Sequence, residues 1–124
     1  MKLLLDTHIF LWALSEPHRL TSTQRSEIED PSNKVYLSSI SVSELAIKAS
    51  LGKLPLTFDP LEVAEQSGFS LLDFSAYEAM LLHQLPFHHR DPFDRMLITQ
   101  SIAKGLTIAT QDPLFEHYPC PILA

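Results

Sequence analysis

The chain has 124 residues, with nine Lys and Arg against fifteen Asp and Glu for a formal charge of −6. That length suits a single unit over 1–124, and a composition 45% hydrophobic and 19% charged excludes disordered, collagenous and low-complexity classes. The acidic balance argues against passive nucleic-acid binding through a basic face, and Asp6, Glu44, Asp73, Glu78 and Arg95 interrupt every apolar run before it reaches membrane-spanning length.

Lys2 to Leu5 is a short apolar run ending in Asp6, after which Ile9, Phe10, Ala13 and Leu14 fall at helical spacing. The chain therefore opens strand, acid, helix. Thr21 and Gln24 form a capping-box pair that predicts a polar helix to about Asp30, where Pro31 stops it. Val35, Tyr36 and Leu37 predict a strand, and Ser41 with Glu44 reads as a second capping box for a helix ending near Gly52. Asp59 before Pro60 predicts an N-cap with proline at the first helical position, and Gly68 closes that helix. Phe69 to Leu72 predicts a third strand, and Ser75 with Glu78 caps a helix carrying Ala79, Met80 and Leu82. Asp91 before Pro92 starts a helix to Gly105, with Phe93, Met96 and Leu97 on one face. Leu106 to Ala109 then predicts a strand, followed by Thr110, Gln111 and Asp112, and a last short strand lies around Pro121 to Leu123. Strands alternating with helices predict an α/β fold with a mostly parallel sheet covered on both faces. The opening apolar run meets Asp6 and His8 at once, unlike a secretory signal, and Cys120 has no partner for a disulfide or a cysteine-built zinc site. A cytoplasmic protein is expected.

In an open parallel sheet the binding crevice lies beyond the carboxyl ends of the strands. Asp6 leaves the first strand there, Asp112 follows the Leu106 to Ala109 strand, and Glu44 and Asp94 sit in first helical turns. Converging carboxylates repel one another, and a divalent cation relieves the repulsion. Magnesium favours carboxylate oxygen and water, and such an ion serves phosphodiester hydrolysis by acidifying a water and neutralising phosphoryl charge. Walker loop, nucleophile elbow and paired cysteines are missing from the sequence.

Structural explanations compete at each position. Asp6 is equally an N-cap for the helix after it, Glu44 fits a capping box better than a ligand, and Asp112 before Pro113 is equally a turn residue. Position favours Asp91 as cap and Asp94 as ligand, although the reverse, or joint service by both, fits the same spacing. Arg95 pairs with Asp91 at helical distance or reaches an RNA phosphate at the crevice rim. His88 and His89 read as exposed loop residues, with substrate phosphate or a partner as their alternative contact; His8 packs near the first helix, and Phe10, Trp12 and Phe93 read as core.

The segments Leu-Leu-Asp-Thr-His from Leu4, Ser-Val-Ser-Glu from Ser41, His89 to Arg95, and Thr110-Gln111-Asp112 occur in the order and spacing of the PIN-domain nucleases. They most resemble the VapC-like toxins of toxin–antitoxin pairs, and Asp-Pro-Phe-Asp-Arg is similar to one subgroup. The resemblance implies a three-layer α/β/α fold on a sheet of about five strands. It implies a magnesium- or manganese-dependent endoribonuclease with Asp6, Glu44, Asp94 and Asp112 as metal ligands. Thr110 matches a hydroxyl that assists the last acid, and Asp91 belongs to the subgroup pattern. Implied partners are RNA, a small antitoxin whose C-terminal segment fills the acidic groove, and a second copy of the chain. RNA specificity would lie in loops and in residues such as Lys48, Lys53 and Arg90. Two other classes compete with this reading. A phosphotransfer receiver needs an acidic pair at the first strand and a late lysine, where this chain has Thr7 after Asp6 and Gln111 after Thr110. A non-catalytic PIN-like module that binds RNA or protein shares every motif above and differs only in cleavage.

Overall fold

Leu3, Leu4 and Leu5 have no exposed surface, so the strand that carries them, β1 (Lys2–Leu5), is buried on both faces. In the computed structural model, which describes residues 1–124, β1 is the central strand. It pairs in parallel with β2 (Lys34–Ser38), which in turn pairs with β3 (Ser70–Leu72). On its other side lies β4 (Thr107–Ala109), followed by β5 (Ile122–Leu123), giving the order β3-β2-β1-β4-β5 with every pair parallel. Leu3 stands between Val35 and Thr107, and Leu5 pairs with Ala109.

The connections are α1 (Thr7–Ser15), α2 (Ser22–Glu29), α3 (Ser39–Ser50), α4 (Pro60–Gln66), α5 (Ala76–Leu81) and α6 (Pro92–Lys104). Side-chain alternation along β1 divides the core in two. Leu3 and Leu5 pack with Ile9, Phe10, Leu45, Ala64 and Phe69 on one face, while Leu4 meets Leu97, Ile98, Ile108 and Phe115 on the other. The result is the expected three-layer α/β/α arrangement. None of the helices is long and apolar enough to cross a membrane.

Local chemistry explains most helix limits. The Thr21–Gln24 and Ser75–Glu78 boxes both form with reciprocal bonds, and α6 ends at Gly105, whose φ of 65° is the left-handed conformation that glycine adopts most cheaply. The Ser41–Glu44 box does not form. The Ser38 hydroxyl accepts the Ile40 N–H at 3.1 Å, so α3 begins straight from the strand end and both residues fall inside it. Short 3₁₀ turns at Pro17–Arg19, Leu82–Gln84 and Pro113–His117 are additions to the sequence reading.

Gln24 ties α2 to the sheet. It is fully buried, its amide nitrogen donates to the carbonyls of Thr110 and Leu123 at 3.0 Å each, and its Oε1 accepts from the Thr21 N–H and from Gln111. Gln24→Leu keeps the volume but strips two carbonyls of their donor, and urea denaturation should show a loss of about 2–4 kcal/mol. An unchanged midpoint would refute this role.

Candidate metal centre

Asp6 sits where β1 stops and α1 begins. Its N–H still bonds the Ala109 carbonyl at 3.1 Å, so the ladder carries the residue to the carboxyl edge of the sheet. One carboxylate oxygen accepts the Ile9 N–H at 2.8 Å, capping α1, and the other accepts the Thr110 hydroxyl at 2.6 Å. Capping and site placement are thus compatible in one residue. Asp6 is 6% exposed, and burial raises its pKa, with Glu44 adding to the rise against the Thr110 and Ile9 hydrogen bonds and His8.

Thr110 has a second contact. Its Oγ1 accepts the Asp112 N–H at 3.1 Å while donating to Asp6, so one hydroxyl links the ends of the two central strands. Asp112 caps the 3₁₀ turn with one oxygen, accepting from Leu114 at 3.0 Å, and turns the other toward His89.

Glu44 reaches the crevice from the second turn of α3, with 3% exposure. Thr7 Oγ1 donates to its Oε1 at 2.6 Å and Lys48 Nζ to its Oε2 at 2.8 Å. That hydrogen bond raises the Lys48 pKa. Lys48, expected among RNA-facing residues, is therefore engaged with a buried acid.

Asp91 is the N-cap of α6, its Oδ1 accepting the N–H groups of Phe93 and Asp94 at 2.9 and 3.2 Å. Asp94, in the first helical turn, is free of that duty. Its pKa is pushed up to about 7, first by burial and then by Asp91, with Asp6 and Glu44 adding and His89 opposing. The acids are close enough to act on one another's ionisation.

His89 is not the exposed loop residue that its position in the sequence predicts. Its side chain is 10% exposed, with Nε2 at 2.9 Å from Asp94 Oδ2 and 3.1 Å from Asp112 Oδ2. The Asp91 N–H donates to Nδ1 at 3.1 Å, which leaves the ring proton on Nε2 between the two carboxylates. The available signal was its place two residues before the Asp91 cap, where the chain folds back over the start of α6. His88 is exposed as expected.

Arg95 takes neither expected role. It is 8% exposed, donates to the carbonyls of Pro86 at 2.9 Å and Leu85 at 3.2 Å, and stacks its guanidinium 4.0 Å from the centre of the Phe87 ring. Its fork fits main-chain carbonyls of the loop leading to His89. It positions that loop rather than facing a phosphate.

The ligand atoms of His89, Asp94 and Asp112 lie within 4.8 Å of one another, and Asp6 and Asp112 line a common open cleft. The carboxylate oxygens form a donor set suited to a hard divalent cation such as magnesium or manganese, and the protonated Nε2 of His89 bridges Asp94 and Asp112 beside it.

A profile of the PIN domain matches residues 3–119. A search of the curated proteins found no match. Among solved structures, the chain is similar to one in VapBC2 from Rickettsia felis bound to a promoter DNA fragment, at TM-score 0.75 and 19% identity over 99% of this chain and 98% of that one. DNA-bound VapBC from Salmonella typhimurium is similar at TM-score 0.71 and 23% identity over 99% and 97%. FitAcB from Neisseria gonorrhoeae follows at 0.60 and 22% over 98% and 96%. At these identities the likeness is one of fold.

The raised Asp94 pKa has a sign. The folded protein holds that proton more tightly than the unfolded chain, so this group's contribution is greatest below pH 3.8 and is lost as pH rises toward about 7. Urea titrations in EDTA at several pH values should show wild type losing stability relative to Asp94→Asn across that window. Parallel curves for the two proteins would contradict the shift.

Proposed function

The chain belongs to the PIN-domain family, and from that premise we propose that it is a metal-dependent endoribonuclease, the toxin of a toxin–antitoxin pair. The observation that carries the reading is geometric: Asp94 and Asp112 offer oxygens within 4.8 Å of one another beside His89, and Asp6 lines the same cleft as Asp112. Burying like charges together is costly unless a cation is to join them.

Asp6, Asp94 and Asp112 would hold magnesium or manganese directly, with Glu44 serving a second ion or a water of its shell. When bound, the ion supplies charge neutralisation at the phosphoryl oxygens and a water of lowered pKa. The protein's part is orientation. Thr110 and the Ile9 N–H fix both oxygens of Asp6, Thr7 and Lys48 fix both oxygens of Glu44, and Asp91 holds the helix start so that Asp94 faces the crevice. A bound ion would favour the carboxylate form of Asp94 against the burial that raises its pKa. Hydrolysis by water in line with the 3′ oxygen leaves 5′-phosphate and 3′-hydroxyl ends without a covalent enzyme intermediate.

The structural neighbours are VapBC and FitAcB assemblies, which supports a small antitoxin as partner; a second copy of this chain in the complex is part of the proposal. A cationic antitoxin side chain among the carboxylates would take the ion's place and inhibit. An acidic nuclease is consistent with this scheme, because ion and partner both bring positive charge.

Cleavage of RNA in magnesium or manganese tests the reading. Asp6→Asn and Asp94→Asn should each lower the rate by about a hundred-fold or more with circular dichroism unchanged, and excess EDTA should abolish it. Full activity of Asp94→Asn would remove that residue from the site. Inactivity of wild type in both metals would favour the non-catalytic binding module.

A further inference from the structure

We propose that the cleft beside the acids is a nucleobase subsite, in which Trp12 stacks one base of a single-stranded RNA and Gln111 accepts a hydrogen bond from that base. The inference rests on the ribonuclease reading and says where the substrate's base lies. The cleft holds about 390 Å³ and is lined by Asp6, His8, Trp12, Gln111 and Asp112. Two of the proposed ion ligands thus share a wall with two aromatic rings.

Local structure explains this placement. Asp6 caps α1, so the helix starts at the acid site, and His8 and Trp12 follow one turn apart on the same side. Their ring centroids are 5.9 Å apart, and Trp12 remains partly exposed although it also packs on the core. Recognition of unpaired RNA uses aromatic platforms next to the backbone path.

Gln111 adds direction. Its amide nitrogen donates to the Arg19 carbonyl at 2.8 Å and to Gln24 Oε1 at 2.9 Å. Gln24 is itself oriented by its two donations to the Thr110 and Leu123 carbonyls, so neither amide can flip without losing bonds. Both hydrogens of Gln111 are thereby committed, and its Oε1 offers only an acceptor. The edge of a base supplies the matching N–H donor. The Arg19 guanidinium lies 4.4 Å from the centre of the Trp12 ring, so the base takes the exposed part of the ring that Arg19 leaves open, where a second cation would meet the charge of Arg19. Arg19 is half exposed beside Glu16, and its charge is available to a backbone phosphate passing the stack.

The chain has one tryptophan, so its emission reads this cleft alone. The probe is a set of hexaribonucleotides, one for each base, added in magnesium to Asp94→Asn protein, whose altered residue does not line the cleft. Saturable quenching is expected. Anisotropy of an end-labelled hexamer should show about ten-fold weaker binding for Trp12→Ala, with most of it restored by Trp12→Phe. Gln111→Ala should level the preference among the four bases, and where Trp12→Ala fails to fold, emission of the intact tryptophan and this variant decide. RNA that binds without moving the emission, and equally to both variants, overturns the subsite while leaving the ribonuclease reading intact. Quenching by an arginine-bearing peptide but not by RNA assigns the cleft to a protein side chain and also overturns it. Absence of both RNA binding and cleavage by wild type removes the ribonuclease reading and the subsite together.

Discussion

Electrostatic repulsion at the carboxyl edge of the sheet is the constraint on which the rest of the arrangement depends. Parallel strands all end on one side, and the helices that follow them all start there, so acids at strand ends and first turns are forced toward one another. Burial and then Asp91 raise the Asp94 pKa most, and Asp6 and Glu44, both nearly inaccessible to water, add to the rise. A fold with these residues at opposite edges would carry no such stress.

Each acid is held by donors that leave its charge in place. Asp6 has a backbone N–H and a hydroxyl, Glu44 a hydroxyl and an ammonium, and Asp112 a backbone N–H and the His89 ring. These contacts come from α1, α3, the residue after β4, the end of the 85–91 loop and the last 3₁₀ turn. The site is thus braced by most of the fold, and Arg95 reaches it indirectly by fastening that loop through the Leu85 and Pro86 carbonyls. The core supplies the rigid base: Leu3 and Leu5 face one helical layer, Leu4 the other, and the strand between them delivers Asp6.

The negative charge takes on meaning from this placement. Fifteen acids against nine basic residues would repel a polyanion if spread evenly. Gathered into a crevice, several of them form a cluster that a cation would relieve. In the proposed subsite, Trp12 and Arg19 beside the crevice would meet a polyanion by a stacking surface and a local positive group rather than a basic face.

Much of this was written in the linear sequence because its causes are local. Apolar triplets make buried strands, Thr21 with Gln24 and Ser75 with Glu78 make capping boxes, and Asp-Pro starts and glycine ends mark helices through backbone geometry that a few neighbouring residues decide. The five parallel strands, and the sites of Asp6, Asp94 and Asp112 at the ends of elements, follow from those signals. Tertiary structure decided what depends on distant partners. Whether Ser38 or Ser41 began α3 turned on the strand joined to it, Glu44 found Thr7 across 37 positions, and Gln24 was oriented by carbonyls near the other end of the chain. His89 and Arg95 exchanged their expected surroundings for the same reason. A loop's side chains take their places from whatever the fold brings beside them, and no periodicity along the chain records that neighbour.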